Sequence, residues 1–333
     1  MTADKHKPEL QPYYRLSPDA VIDAVESTGL VSDYRVIALN SFENRVYQIG
    51  IEEAEPVVVK FYRPGRWSNQ QILEEHSFSQ QLVDADLPVV APTVIKGATL
   101  HESDGYRFTV YPRRGGYPIS VDDLDVLFRM GQYLGRLHGW GARELFTHRE
   151  TLQIQQQMTT DLAFLAENFI PPELQAAHSS ICEDLLATVN RLAAELPPLH
   201  MIRIHGDCHP GNMLWRDDKL WIVDLDDCIN GPALQDVWML LSGSRNEQEQ
   251  QLNEIIEGYN EFNDFPSSQL GWMEILRTRR MVHQAAWVGR RWQDPAFPQA
   301  FTWFNTTRYW SDHVLELREQ LAALAEPPLR IWS

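Results

Sequence analysis

No stretch of this 333-residue sequence comes near the ~20 consecutive apolar residues that a bilayer-spanning helix needs. Met1 to Leu10 is polar and charged and lacks the apolar core of a secretory leader, so a soluble, cytoplasmic protein with no membrane partner is expected. Cysteine is scarce: Cys182, Cys208 and Cys228 are too few and too scattered for a disulfide framework, in keeping with a reducing compartment. Cations are in deficit, 29 Lys and Arg against 46 Asp and Glu, and the formal net charge of −17 argues against the phosphate-tracking surface of a nucleic-acid binder. The acidic excess serves solubility first and the attraction of cationic partners second. Low-complexity blocks and internal repeats are missing as well, so the chain is expected to be folded nearly throughout.

What is present is material for a large core. The composition is 44% apolar and 11% aromatic, and the length exceeds what one core usually supports, which predicts two lobes. The expected state is a monomer. Pro18 to Gly29 reads as an opening helix, with Pro in the first turn and Gly as stop. Val36 to Leu39, Val46 to Ile49 and Val57 to Phe61 read as an antiparallel meander. Asn69 to Val83 returns to helical period, Thr93 to Lys96 reads as short and extended, and Tyr106, Phe108 and Val110 alternate as in a strand. Arg113 to Gly116 reads as the crossing between lobes. From Asp122 the pattern is helical, interrupted by one β-rich island made of Met201 to Ile204, Met213 to Trp215 and Leu220 to Val223, with a hairpin turn at Arg216 to Lys219. The expected class is α+β in two lobes: a tail at 1–16, a small β-rich lobe with one helix at 17–114, and a larger helical lobe at 115–333.

The chemistry concentrates in His205-Gly206-Asp207-Cys208-His209-Pro210-Gly211-Asn212, followed after the hairpin by Asp224-Leu225-Asp226-Asp227. Each of these residues alone is an ordinary turn former. Together, at this spacing, they fit phosphoryl transfer. Such a reaction needs a carboxylate to position the acceptor hydroxyl, and charge neutralisation by Mg2+ held by a second carboxylate and an amide oxygen. Asp207 suits the first role, Asn212 and Asp224 the second. Asp207 and Asp224 each follow a strand, so the carboxylates are expected to face one cleft. His205, Cys208 and His209 have no second Cys/His pair to complete a zinc site, and His205 is read as a brace for the loop.

Lys60 stands in the apolar run Val57-Val58-Val59-Lys60-Phe61, where a buried ammonium needs a partner. Phosphate oxygens and a carboxylate from the next helix would supply one, Glu75 first and Glu74 second; the alternative is an edge-strand lysine. Tyr111-Pro112-Arg113 is the expected hinge against the adenine ring, the alternative being a plain strand end. The late tryptophans, among them Trp272, Trp287, Trp303 and Trp310, read as core and groove wall.

Taken together, Lys60, Glu75, His205 to Asn212 and Asp224 resemble the aminoglycoside phosphotransferase and choline kinase branch of the protein-kinase-like fold. The resemblance is closer still to a bacterial group of stress-response serine/threonine protein kinases in that branch. It is carried by Leu39 to Tyr47, Val58 to Pro64, Ile72 to His76, Leu134 to His138, Arg203 to Asn212 and Arg291 to Pro298, and it covers essentially the whole chain. It implies an ATP- and Mg2+-dependent kinase with Asp207 as proton acceptor, Asn212 and Asp224 as metal ligands, and Ser41 at the ATP phosphates. The acceptor it implies is a protein serine or threonine, the protein's own included; the alternative is a small-molecule kinase for an aminoglycoside-, choline- or homoserine-like hydroxyl. Asn40 to Arg45 contains no glycine, so Ser41, Asn44 and backbone N–H groups would replace the usual glycine-rich loop. Asp236 lies only 12 positions after Asp224, which leaves no room for a long activation loop. It is read as a carboxylate that pins the catalytic loop.

Overall fold

The computed structural model describes residues 12–332, so most of the expected tail lies outside the described residues. The chain runs through α1 (Pro18–Ser27), β1 (Ser32–Leu39), β2 (Arg45–Ile51), β3 (Ala54–Phe61), α2 (Asn69–Asp84), β4 (His101–Ser103), β5 (Tyr106–Pro112) and β6 (Tyr117–Pro118). There follow α3 (Leu124–Gly141), α4 (Ile154–Asn168), α5 (Gln175–Glu195), β7 (Ile202–Ile204), β8 (Met213–Arg216), β9 (Lys219–Ile222) and β10 (Ile229–Gly231). Helices α6 (Leu234–Trp238), α7 (Arg245–Asn260), α8 (Met273–Arg290), α9 (Ala296–Ala300) and α10 (Thr307–Ala323) close it. By compactness the chain divides into two units. Of the described residues, one holds those up to Ile119, with Phe146–Arg149 and His209–Cys228; the other holds Ser120–Leu145, Glu150–Cys208 and those from Ile229 on.

The first unit is built on an antiparallel sheet in the order β1-β2-β3-β5-β4. Helix α1 starts where Ser17 accepts the Ala20 N–H and Pro18 supplies the first turn. Its Val21, Ala24 and Val25 pack on Ile49, Val59, Phe61, Phe108 and Val110 of the sheet. Because strand residues alternate faces, burial of Val59 and Phe61 under α1 turns Lys60 to the other side. Strand β3 is bonded to β2 on one edge and β5 on the other, with Lys60 opposite Val46 and Thr109. An edge lysine is therefore excluded. Helix α2, held by a Ser68–Gln71 capping box, buries Glu75 in the same unit.

Two expectations fail here. Thr93 to Lys96 forms no strand; Ile95 makes one bridge to Ala98, because Lys96 (φ 51°) and Gly97 (φ 79°) reverse the chain, and the edge strand is β4 instead. The single β-island is two separate sheets: β7 pairs with β10, while β8 and β9 form a hairpin that β6 extends. The hairpin turn is as expected, with Asp217 and Asp218 both left-handed at φ 52° and 57°.

The second unit is helical. Helices α3 and α7 approach so closely that a Cβ on Gly131 would lie 2.0 Å from the Ile255 carbonyl oxygen, and one on Gly258 2.0 Å from that of Phe128. That contact fixes α3, which carries His138. Helix α8 packs on α4. Of the late tryptophans, Trp272 and Trp310 are buried and Trp303 is half-exposed. Among the described residues no helix is long and apolar enough to cross a membrane.

Candidate active site

The segment 205–212 passes from the helical unit to the sheet unit between Cys208 and His209. Asp207 therefore belongs to one unit, and Asn212, Asp224, Lys60 and Glu75 to the other.

In the sheet unit, Lys60 is 4% exposed, which makes its partners decisive. Its Nζ lies 3.1 Å from Asp224 Oδ1 and 3.7 Å from Asp226 Oδ1, and 5.4 Å from the ring centroids of Tyr62 and Tyr111. Burial disfavours the charge, yet the neighbouring carboxylates, Asp224 foremost, hold the ammonium protonated well above its ordinary range. Asp226 is the hub. Besides Lys60 it accepts from Arg66, and from Asn44 Nδ2 at 3.0 Å. Burial would raise its pKa, but Lys60, Arg66 and Arg149 outweigh that and keep it ionised.

The expected Lys60–Glu75 ion pair gives way to this arrangement. Glu75 sits 3.6 Å from Arg149 Nη2 and accepts from Tyr62 Oη at 3.5 Å. Lys60 acts on it electrostatically without a direct ion pair, and burial raises its pKa. Two carboxylates from the segment after β9 reach the lysine first. Glu74, the second candidate, faces elsewhere: its carboxylate accepts the N–H groups of Thr147, His148 and Arg149 at 2.6, 2.9 and 2.7 Å. One glutamate thus fixes the segment that presents Arg149 to the other.

Asn212 ends the short 3-10 turn Pro210–Asn212, immediately before β8. The β8–β9 register sets Met213 opposite Ile222, and Val223 N–H donates to the Asn212 carbonyl at 3.0 Å. Asn212 is thereby placed across from Val223, next to Asp224. Asp224 is left-handed (φ 59°) with a side chain 53% exposed, a backbone state that costs energy outside glycine and clusters at functional sites. An asparagine and an accessible carboxylate at the paired ends of one hairpin are residue types that could hold a hard, partly hydrated cation such as Mg2+. Among the described residues there is no cluster of three or more His, Cys, Asp or Glu that could hold a metal by itself.

Ser41, between β1 and β2, donates to the Asn44 carbonyl at 3.1 Å. Asn44 corrects an expectation. Its side chain is turned inward, donating to Asp226 and accepting the Arg63 N–H at 3.2 Å, because a buried amide must satisfy both ends. Tyr111 lies in β5 with its ring toward Lys60, while Arg113 donates to Gln48 at 2.8 Å on the surface.

In the helical unit, Asp207 follows β7 after Gly206, whose φ of +84° makes the turn. Asp236, fully buried at the start of α6, accepts the N–H groups of His205 at 2.8 Å and Gly206 at 2.9 Å, and His138 Nε2 lies 3.1 Å from it. His138 Nδ1 reaches Tyr259 Oη at 3.1 Å. Asp207 N–H donates to His205 Nδ1 at 3.3 Å, so the loop is braced by both residues read as braces. The Asp207 carboxylate meets Arg280 Nη2 of α8 at 2.7 Å. Sequence reasoning quoted Asp226 without giving it a role and did not find Arg66, Arg149 or Arg280. Only Asp226 carried a signal, its alternation with Asp224.

A β-sheet unit with a lysine–carboxylate pair and a helical unit with a braced Asp loop define a phosphotransferase of the protein-kinase-like fold. The model for the Phosphotransferase enzyme family matches residues 35–271, and the chain belongs to that family. It is 43% identical over 320 residues, 96% of this chain and 97% of the relative, to Stress response kinase A of Escherichia coli strain K12. With the same coverage it is 42% identical to Serine/threonine protein kinase RdoA of Salmonella typhimurium strain LT2. Among solved structures, an amicoumacin kinase in complex with AMP-PNP, Ca2+ and Ami has a TM-score of 0.73 at 16% identity, covering 95% of this chain and 96% of that one. That likeness is one of fold.

Proposed function

We propose that this protein is an ATP- and Mg2+-dependent kinase that phosphorylates serine or threonine hydroxyls of proteins, its own included, as a monomer in the cytoplasm under stress. In this reading residues 17–114 bind the nucleotide, and 115–333 carry the catalytic loop and the acceptor-binding helices. What supports the chemistry is the backbone bond between Asn212 and Val223, the residue before Asp224, together with Lys60 on the Asp224 carboxylate. The protein acceptor is supported by the relatives named as stress-response and serine/threonine kinases.

Lys60 supplies a fixed positive charge for phosphate oxygens, with Ser41 and backbone N–H groups of its loop on the phosphates. Asn212 and Asp224 would hold Mg2+, which neutralises charge on the transferring phosphoryl group when bound. Asp207 accepts the hydrogen bond of the acceptor hydroxyl and takes its proton as the new O–P bond forms, while the bond from the γ-phosphorus to the bridging oxygen breaks and ADP leaves with that electron pair. Tyr111 to Arg113 offer backbone to the adenine.

The test is incubation with labelled ATP and Mg2+, with a general protein substrate or a panel of amino alcohols and aminoglycosides. Label should enter protein in the wild type and none should enter with Asp207→Ala, whose nucleotide affinity should stay within about threefold of wild type. Asp224→Ala should lose the Mg2+-dependent part of nucleotide binding. Transfer only to the amino alcohols would replace the protein acceptor; transfer retained by Asp207→Ala would remove the base.

A further inference from the structure

The contact between Asp207 and Arg280 is not explained by the fold. Both side chains are partly buried, 19% and 29% exposed respectively, so the pair still borders solvent from which a substrate can approach. Its place is the most consequential in the unit, on the carboxylate assigned as base. Helix α8, which supplies it, holds four arginines and a single glutamate, in a chain whose net charge is −17.

Most cations on that helix are already matched. Arg277 pairs with Glu274 at 2.8 Å and bonds Gln248 at 3.0 Å. His283 meets Asp161 at 2.8 Å, and Arg290 pairs with the other oxygen of the same carboxylate. Arg280 differs in which carboxylate it meets: among the described residues its ion-pair partner is Asp207, the carboxylate assigned as base. When a hydroxyl takes up the Asp207 carboxylate, the guanidinium keeps several N–H donors directed at whatever flanks that hydroxyl. A carboxylate there is taken by the fork; an ammonium there is repelled. The acidic remainder of the molecule does not cancel this, because charges more than about 8 Å away are largely screened at physiological ionic strength.

We propose that Arg280 is a specificity-determining residue that selects serine or threonine in acidic protein segments and rejects cationic alcohols. The inference rests on the kinase reading above and names its acceptor class. A polyamine-like or quaternary ammonium acceptor would bring its charge against the Arg280 guanidinium beside the base.

The experiment uses the full chain with ATP and Mg2+ and three peptides of equal length that share one serine, flanked by Glu, Ala or Lys. Wild type should favour the Glu peptide over the Lys peptide by about tenfold in kcat/KM, most of it in KM, the size expected of one charge-assisted contact. Arg280→Gln should bring that ratio within about twofold, Arg280→Lys should retain most of it, and Arg280→Glu should reverse it. A ratio unchanged in Arg280→Gln, or a wild-type preference for the Lys peptide, overturns the proposal. Equilibrium binding of the same peptides, fluorescently labelled, to wild type and Arg280→Gln is read without any transfer. Absence of transfer to every peptide with a charge preference in binding would count against the kinase reading alone, and no charge preference in binding would overturn the role of Arg280.

Discussion

Replacing Asp226 by Asn should be among the most destabilising single changes in the sheet unit. The carboxylate is 2% exposed and faces Lys60 at 3.7 Å and Arg66 at hydrogen-bonding distance, with Asn44 Nδ2 on the same oxygen as Arg66. Neutralising it leaves two buried cations short of a counter-charge, a loss that costs about 3–5 kcal/mol when one partner of a buried pair is removed. Here each cation keeps a second carboxylate, Asp224 for Lys60 and Asp227 for Arg66. The lower end, about 3 kcal/mol, is therefore expected. For a unit of this size that lowers its melting temperature by roughly 6–12 °C. Differential scanning calorimetry at pH 7 is the assay, since it separates units that melt apart. Asp227→Asn is the control: its side chain is 47% exposed, and its removal should cost less than about 1 kcal/mol. If Asp226→Asn melted within about 2 °C of wild type, the hub would be a solvated cluster and the reasoning would be wrong.

Lys60 should couple to Asp226 more strongly than to Glu75. In double-mutant cycles read by unfolding, Lys60→Met with Asp226→Asn should depart from additivity by more than about 1 kcal/mol, and Lys60→Met with Glu75→Gln by less than about 0.5 kcal/mol. Equal coupling would restore the lysine–glutamate pair. Asp236→Ala strands two buried N–H groups, at about 1–3 kcal/mol each, and should speed hydrogen exchange at His205 and Gly206 as well as unfold the protein earlier in urea; unchanged exchange at those amides would show that the loop holds itself. Stability should also fall on acidification through His76. Burial, with Lys60 and Arg149 nearby, pushes its pKa down from 6.5 to about 3. Between those values the unfolded chain binds the extra proton, so stability is full above about pH 6.5 and declines by about 1.4 kcal/mol per pH unit below it. Urea midpoints of wild type and His76→Gln across pH 4 to 7 test this, and parallel curves would exclude His76 as the source.

Much of the fold is legible in local sequence. Helix α1 begins and ends where Pro18 and Gly29 place it, β3 and β5 follow their alternation, and the β8–β9 hairpin turns at Asp217 and Asp218. These are short-range matters of capping, period and turn chemistry, and they suffice to set Asn212 and Asp224 at the two ends of one hairpin. The Thr93 to Lys96 segment misled because β-branched residues beside a left-handed Lys96-Gly97 turn have the composition of a strand without room to be one.

By itself the sequence determined the kinase-like class, the candidate base and metal ligands, and the place of Lys60 in a strand, because each depends on residue type and spacing within a few dozen positions; that this strand is internal and its lysine buried came from the sheet order. Only the tertiary structure decided who meets whom. Lys60 and Asp224 are 164 positions apart, Asn44 and Asp226 182, and Glu75 receives an Arg149 that Glu74, through the N–H groups of residues 147–149, and the carbonyls of Gln71 and Asp226 hold in place. A buried charge takes the strongest counter-charge that packing brings within reach, and that reach is set by the folded backbone, not by distance along the chain.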